Sequence, residues 1–270
     1  MAIDPTARVA DGARLAADIE IGPYCIIGPQ VELGSGVRLI AHVHIAGVTT
    51  IGQGTVIYPF VSLGGPPQSV SYRGGATRLE IGTHCDLREA VTMNTGTEDG
   101  GGVTRVGDRC LFMVGSHVGH DCQVGNAVTF ANNVSLGGHV SIGDNTFLGG
   151  HAAVHQYVRI GEGAMVAGLC GVAHDLIPFG FAIGALGNLV GLNVVGLRRR
   201  GATRGEILQL RRAYRALFFG PGPFADKIET VSREFGADPR IERLLAFIRS
   251  GGKRQLMLAR DRHGRDDDAA

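Results

Sequence analysis

Histidines are concentrated in one stretch of the 270-residue chain, between His117 and His155. His120 is followed directly by Asp121, and a carboxylate next to an imidazole can orient it as a general base. A backbone N–H close to such a base could bind the oxyanion of an acyl-transfer intermediate. Three histidines, His117, His120 and His139, could instead hold a zinc ion with one position open for water. Histidines at the corners of a repeat can also be purely structural, so the cluster alone leaves these readings open.

An aliphatic residue at every sixth position supplies the elements that must position these groups. One register runs from Ile3 to Leu63 and resumes from Ile81 to Met93, and a second runs from Val106 to Val172. Glycine often follows the aliphatic residue, as expected where the backbone bends sharply after a short strand. The sequence predicts an all-β left-handed parallel β-helix, a hexapeptide-repeat solenoid of about eight to nine coils with about 18 residues in each.

The coil length also predicts which residues are neighbours on successive coils. Residues about 18 positions apart in one register stack on strands ~4.8 Å apart. This spacing brings Gly138 over His120, and His139 over Asp121. We therefore predict a catalytic group in which His120 is the base and the N–H of Gly138 is the oxyanion donor.

Two segments rich in Gly, Pro or Ser interrupt the repeat, and both predict loops excluded from the coil. They cover residues 64–80 and 94–105 of a solenoid that we expect to span residues 1–186. Beyond it, apolar residues at helical spacing and a Thr203/Glu206 capping box predict helices. We expect a small C-terminal α-helical domain with a polar tail over residues 187–270.

Charge and cysteine content narrow the class of protein. Residues 1–197 carry 9 Lys or Arg against 15 Asp or Glu, whereas residues 198–270 carry 17 against 10. A basic C-terminal segment could attract an anionic partner. The sequence has no secretory leader pattern, no apolar run of the ~18 residues that span a bilayer, and no C-x-x-C pair. We expect a cytoplasmic protein without disulfides, stable membrane insertion or bound nucleic acid.

Four segments of the chain resemble the bacterial acyl-acyl carrier protein:UDP-N-acetylglucosamine O-acyltransferase family of lipid A synthesis. They are HVGHDCQVGN (117–126), ANNVSLGGHV (131–140), GGHAAVHQYVRIG (149–161) and GLNVVGLRRRG (191–201). The resemblance implies transfer of a 3-hydroxyacyl chain from acyl carrier protein to the 3-position of the glucosamine ring of UDP-N-acetylglucosamine. It also implies a homotrimer with active sites between subunits. The acyl group arrives on the phosphopantetheine of the carrier protein, and neither a cofactor nor a metal is expected.

The resemblance assigns roles to individual residues. His120 is the general base that deprotonates the sugar hydroxyl, Asp121 orients its imidazole, and Gly138 is the backbone oxyanion donor. Further substrate-binding positions follow from the same resemblance. They are His117, His139, His155 and Gln156 at the substrate, Asn193, Arg199 and Arg200 at the nucleotide, and Gly168 at the end of the acyl tail, where a glycine leaves room for a longer chain.

The sequence departs from the family pattern at positions around the substrate. Ser69 and Ser71 stand where the family usually has an aspartate and a lysine near the substrate phosphates, and Arg73 could replace the lost charge. Asn94 and Leu186 stand where the family usually has histidines, in the second loop and near the acyl pocket. These changes leave open whether the acceptor bears a 3-hydroxyl or a 3-amine.

Other functions are compatible with parts of this pattern. A zinc-dependent hydratase of the hexapeptide-repeat class would use the histidines as metal ligands, and an inert trimeric scaffold would not use them at all. The related enzyme that N-acylates a later lipid A precursor normally carries a uridine-binding domain before the solenoid, whereas the hexads here begin at Ile3.

Overall fold

Short strands and tight corners alternate along most of the chain, as the hexad repeat predicts. The computed structural model describes residues 1–259, and its first part is a left-handed parallel β-helix with three faces. Each coil gives one strand to each face, and strands of successive coils pair in parallel, for example Val118 with Leu136. The predicted fold class is therefore confirmed.

The three faces contain the following strands. The first face contains β1 (Ala2–Ile3), β4 (Glu20–Ile21), β7 (Arg38–Leu39), β10 (Val56–Ile57), β13 (Asp86–Leu87), β16 (Leu111–Phe112), β19 (Thr129–Phe130), β22 (Phe147–Leu148), β25 (Met165–Val166), β27 (Gly180–Ile183) and β28 (Asn188–Leu192). The second face contains β2 (Arg8–Val9), β5 (Ile26–Ile27), β8 (His44–Ile45), β11 (Ser62–Gly65), β14 (Thr92–Asn94), β17 (His117–Val118), β20 (Ser135–Leu136), β23 (Ala153–Val154) and β26 (Gly171–Val172). The third face contains β3 (Arg14–Leu15), β6 (Val31–Leu33), β9 (Val48–Ile51), β12 (Arg78–Ile81), β15 (Val103–Val106), β18 (Gln123–Val124), β21 (Ser141–Ile142) and β24 (Arg159–Ile160).

The hexad side chains form the axial core of the solenoid. Ile57, Leu87, Phe112 and Phe130 follow one another on the first face, and each is 0% exposed. The rings of Phe112 and Phe130 meet edge to face with their centroids 4.8 Å apart. Because burying one such side chain contributes about 1.5–3 kcal/mol, the stacked column stabilises the register that positions the corners.

The two predicted loops are shorter in the structure than the sequence predicts. β11 and β12 extend into the first predicted loop, so it covers residues 66–77 rather than 64–80. β14 and β15 shorten the second loop to residues 95–102 rather than 94–105. The physical reason is pairing, since residues beside each loop bond to strands of neighbouring coils and satisfy their backbone groups there. We call these two segments the first loop and the second loop.

The end of the solenoid also lies beyond the predicted boundary at residue 186. β28 folds back antiparallel on β27, so sheet structure continues to Leu192. This pairing covers the edge of the last strand, which would otherwise present unpaired backbone groups. The helical part begins at Val194 rather than at residue 187.

Helices follow the solenoid. They are α1 (Val194–Arg199), α2 (Arg204–Phe219), α3 (Phe224–Phe235) and α4 (Pro239–Arg249). The capping box of Thr203 and Glu206 at the start of α2 is confirmed, since both of its hydrogen bonds are present. Leu210, Leu217 and Leu244 are buried among these helices.

The chain then returns to the solenoid. Met257 N–H donates to the backbone oxygen of Asp175 over 2.8 Å, and Asp175 N–H donates to that of Gln255 over the same distance. The predicted polar tail ends in DRHGRDDDAA (261–270), and this part lies outside the described residues. Among residues 1–259, the helices are all too short or too polar to cross a membrane.

Candidate active site

The predicted catalytic residues lie at corners of the solenoid on successive coils. His120 and Asp121 form the corner between β17 and β18, and Gly138 and His139 form the corner between β20 and β21. His139 N–H donates to the backbone oxygen of His120 over 2.9 Å. Asp121 and His139 both have left-handed backbone conformations, with φ of 60° and 62°. The structure thus brings together the residues that the 18-residue spacing relates.

His120 and Asp121 form a hydrogen-bonded pair. Nδ1 of His120 lies 2.8 Å from Oδ2 of Asp121, and the exposed fractions of the two side chains are 15% and 0%. Because an ionised carboxylate only accepts hydrogen bonds, Nδ1 carries the proton. Nε2 of His120 is then the nitrogen with a free lone pair, as a general base requires.

Gly138 packs so closely against the imidazole of His120 that a Cβ atom there would require the ring to move. A Cβ atom built on Gly138 would stand 2.6 Å from Nε2 of His120. Among residues 1–259, no group accepts a hydrogen bond from the Gly138 N–H. A free N–H beside a potential base is the arrangement that stabilises an oxyanion during acyl transfer.

A cleft of about 320 Å³ opens in front of this pair. His117, His120 and Gly138 line it, together with Gln68 of the first loop and Asn94 at the edge of the second. A larger groove of about 520 Å³ lies elsewhere, between the third face and α4, and contains none of the predicted site residues. The smaller cleft is therefore the one that contains the candidate base and the candidate oxyanion donor.

Two further histidines flank His120, and burial lowers the pKa of both. Nδ1 of His117 lies 2.8 Å from the hydroxyl of Thr92, and desolvation first, then the nearby His120, lowers its pKa. Nδ1 of His139 lies 3.7 Å from Oδ2 of Asp121, yet desolvation outweighs this attraction and lowers its pKa as well. Both rings are thus favoured as neutral imidazoles.

A column of rings continues from His139 towards the C-terminal segment. The ring of Tyr157 stacks on that of His139 at 4.4 Å with an angle of 7° between the planes, and Nζ of Lys253 lies 4.1 Å above the Tyr157 ring. Neither residue was predicted from the sequence. Tyr157 lies 18 positions after His139, so the coil length could have found it, whereas Lys253 lies outside the repeat.

His120, Asp121 and His139 could also hold a metal ion by geometry alone. Their ligand atoms lie within 4.8 Å of one another. This set includes Asp121 in place of the His117 that the zinc hypothesis used. Both carboxylate oxygens of Asp121 already accept hydrogen bonds, from Thr97 and His120, which favours a hydrogen-bonded pair over a metal centre.

The two loops are tied to each other beside the cleft. The Glu98 carboxylate accepts hydrogen bonds from Gly75 N–H over 2.6 Å and Arg73 N–H over 3.2 Å. The hydroxyls of Ser69 and Ser71 lie 2.9 Å apart. The Arg73 guanidinium donates to the backbone oxygen of Val70, within its own loop, so the structure does not direct it into the cleft.

The remaining predicted residues lie in three other groups. His155 and Gln156 bind Arg254, whose guanidinium lies 2.7 Å from Nδ1 of His155 and donates to the backbone oxygen of Gln156 over 2.9 Å. The Asn193 amide donates to the backbone oxygen of Gly163 over 3.0 Å. Asn193 belongs to the predicted nucleotide group, together with Arg199 and Arg200. Gly168 and Leu186, near the predicted end of the acyl tail, are both exposed.

The nucleotide group lies at a different edge of the prism from His120. Gly163, which Asn193 and Arg200 contact, lies in the corner between β24 and β25, where the third face meets the first. His120 lies where the second face meets the third. Within one chain, the structure therefore does not bring the predicted nucleotide residues to the catalytic pair.

The chain is similar to acyltransferases along almost its whole length. A family profile described as UDP N-acetylglucosamine O-acyltransferase, domain 2, matches residues 175–257. The chain is 59% identical over 254 residues to the acyl-acyl carrier protein:UDP-N-acetylglucosamine O-acyltransferase of Azorhizobium caulinodans, covering 94% of both chains. It is 47% identical to the Rhizobium johnstonii protein of the same name, covering 94% of this chain and 93% of that one.

Solved structures agree with these relatives. The UDP-N-acetylglucosamine O-acyltransferase of Moraxella catarrhalis is 37% identical and superposes with a TM-score of 0.92, covering 95% of this chain and 100% of that one. The UDP-N-acetylglucosamine acyltransferase of Francisella novicida is 31% identical, with a TM-score of 0.91, covering 97% of this chain and 95% of that one.

Proposed function

The chain belongs to the acyl-acyl carrier protein:UDP-N-acetylglucosamine O-acyltransferase family, and on that premise we propose that His120 is its general base. It is an acyltransferase of the first step of lipid A synthesis. The zinc hydratase and the inert scaffold, which the sequence alone left open, are not what the chain is. The observation that carries the mechanism is the His120–Asp121 hydrogen bond beside the free N–H of Gly138.

The steps follow from the positions of these groups. Nε2 of His120 takes the proton of the acceptor hydroxyl as its oxygen attacks the thioester carbonyl of the acyl carrier protein. The Gly138 N–H donates to the resulting oxyanion, and Asp121 stabilises the imidazolium. When the C–S bond breaks, the pantetheine sulfur leaves and takes the proton from Nε2. The products are the acylated sugar nucleotide and the free thiol, and His120 returns to its neutral form.

The acyl chain has a path along the second face. Outward positions beyond His117 on successive strands are Ser135, Ala153 and Gly171, which are all small. Small side chains leave room for an extended hydrocarbon. Gly168, exposed at a corner further along the solenoid, is then the position that limits chain length.

We propose that the site is completed by a second copy of the chain in a homotrimer. The placement of Asn193, Arg199 and Arg200 at another edge of the prism supports this, because a neighbouring copy could bring them to the cleft. Exposed apolar side chains such as Tyr24, Phe60 and Leu169, exposed by 57%, 65% and 75%, provide surface for such packing.

Helix α2 offers a basic surface on which the carrier protein could dock. Arg204, Arg211, Arg212 and Arg215 are all exposed on α2. An acidic carrier would be attracted by these charges, and its binding would weaken steeply with salt. The proposed reaction takes place in the cytoplasm and needs no cofactor of the enzyme, because the donor carries its own phosphopantetheine.

The test is transfer by the purified full chain from hydroxyacyl carrier proteins to UDP-N-acetylglucosamine. We expect His120→Ala to lower kcat by about 10²–10⁴-fold. His84→Ala is the control for loss of a corner histidine, because His84 lies at a corner of the solenoid but outside the cleft. Full activity in His120→Ala, or loss of activity on treatment with a chelator, would contradict the mechanism.

Mixing two inactive variants tests the shared site. In mixed trimers of His120→Ala chains and chains lacking the Arg199 and Arg200 side chains, about a quarter of sites would combine an intact base with intact arginines. Recovered activity supports sites between copies. Absence of recovery in trimers shown to have exchanged chains would place each site within one chain.

A further inference from the structure

The second loop covers the side of Asp121 that faces away from the cleft. Thr97 of this loop is 5% exposed. Its backbone N–H donates to Oδ1 of Asp121 over 2.8 Å, and its hydroxyl donates to Oδ2 over 2.6 Å. One residue therefore binds both oxygens of the carboxylate that binds His120.

The loop backbone comes close enough to exclude water from this carboxylate. A Cβ atom on Gly96 would stand 2.8 Å from Oδ1 of Asp121, and one on Gly100 would collide with the carboxylate. The loop also holds itself in place, since Gly102 N–H donates to the backbone oxygen of Thr97 over 2.8 Å. The result is a close contact that shields a side chain with 0% exposure from solvent.

These contacts determine which of the two imidazoles forms a hydrogen bond with the Asp121 carboxylate. Oδ2 of Asp121 lies 2.8 Å from Nδ1 of His120 and 3.7 Å from Nδ1 of His139, and the longer distance is not a hydrogen bond. A small rotation of the carboxylate would change both distances. The two hydrogen bonds from Thr97 oppose that rotation and keep Oδ2 directed at His120.

We propose that Thr97 is a positioning residue of the acyl-transfer reaction, which holds the Asp121 carboxylate on His120 without touching substrate. This inference rests on the proposed function, because it requires that His120 is the base. It predicts a defect in the chemical step rather than in substrate binding. The hydroxyl of Thr97 is the group that matters, since its backbone N–H survives any substitution except proline.

The test compares Thr97→Val, which removes the hydroxyl at nearly constant shape, with Thr97→Ser, which keeps it. Because hydrogen bonds to charged groups are strong, we expect Thr97→Val to lower kcat by about 10- to 100-fold with KM for both substrates unchanged. Thr97→Ser should stay within about threefold of the unmodified chain, since the remaining hydroxyl can make the same bond.

Thr95→Val is the matched control for loop structure. Thr95 is 4% exposed in the same loop, and its hydroxyl accepts a hydrogen bond from that of Thr77 over 3.0 Å without contacting Asp121. We expect it to keep the original kcat even if its thermal unfolding midpoint falls. A loss of kcat in Thr95→Val as large as in Thr97→Val would show a general effect of the loop and overturn the proposal.

A double-mutant cycle with Asp121→Asn separates positioning from stability. If Thr97 acts through Asp121, adding Thr97→Val to Asp121→Asn should cost little more activity. Multiplicative losses would overturn the inference. If Thr97→Val does not fold, Thr97→Ala removes the same hydroxyl without the extra methyl group, and the same outcomes apply.

Comparison with His120→Ala keeps the two proposals distinguishable. If His120→Ala is inactive while Thr97→Val has the original kcat, only the role of Thr97 is wrong. If His120→Ala keeps its activity, the proposed base is wrong and the positioning role falls with it.

Discussion

Substitution of Gly138 by alanine tests the close packing of the oxyanion corner against the base. Gly138 does not have a positive φ, so alanine meets no backbone strain there. Its Cβ would stand 2.6 Å from Nε2 of His120, whereas ordinary contact requires 3.4–4 Å. The imidazole must therefore move by about 1 Å, a misplacement that typically costs about 100-fold in rate.

The assay is steady-state acyl transfer with both substrates varied, alongside thermal unfolding. We expect Gly138→Ala to lower kcat by about 100-fold. Alanine keeps the N–H of residue 138, so the loss would report the position of the base rather than the oxyanion hydrogen bond. The folded state should change little, because the clash involves a partly exposed ring.

Gly150→Ala is the matched control for this corner substitution. Gly150 also lies at a corner without a positive φ, and the nearest atom to a Cβ there is the backbone oxygen of Asn132, in ordinary contact at 3.5 Å. Its kcat should stay within about twofold of the original. If Gly138→Ala also stays within threefold of the original, the imidazole does not work from its observed position, and the mechanism fails.

Other predictions concern pH, chain length and the core. The pKa values of His117 and His139 are lowered on folding from an ordinary value of 6.5, so the unfolded chain binds more protons below that value. The stabilisation from these two groups is present above about pH 6.5 and is lost as the pH falls through the folded pKa values. The thermal unfolding midpoint should therefore fall as the pH is lowered, and it should fall less steeply in His117→Gln. If Gly168 limits the acyl tail, Gly168→Leu should shift donor preference towards shorter chains, and an unchanged profile across a panel of carrier-bound chains would contradict that path. Phe112→Ala removes a fully buried ring and should lower the free energy of unfolding by about 3–5 kcal/mol, measured by denaturant titration.

The repeat made much of the fold and the centre of the site predictable. A period of six residues requires regular strands, and a fixed coil length converts sequence separation into spatial stacking. That is why Gly138 could be placed beside His120 without a structure, and why Tyr157 could have been found by the same count. The prediction worked where backbone pairing leaves a residue only one possible position.

The loops escaped this reasoning because no period constrains them. Nothing in the spacing of Thr97 relative to Asp121 indicates that one binds the other, since the loop path depends on its own turns and on glycines that allow close approach. Lys253 and Arg254 were missed for a related reason. They reach the solenoid only after the helices have returned the chain to it, and sequence separation does not encode that return.

The stepwise construction of the solenoid limits how its substrate range could change. His120 and Gly168 lie on different coils of the solenoid, and each coil advances the surface by about 4.8 Å. Point substitutions near Gly168 can shorten the accessible length gradually, but lengthening the scaffold in register requires one complete extra turn. Adaptation of the enzyme to longer acyl donors would therefore proceed in steps of several methylene groups, and side-chain substitutions would provide the fine adjustment.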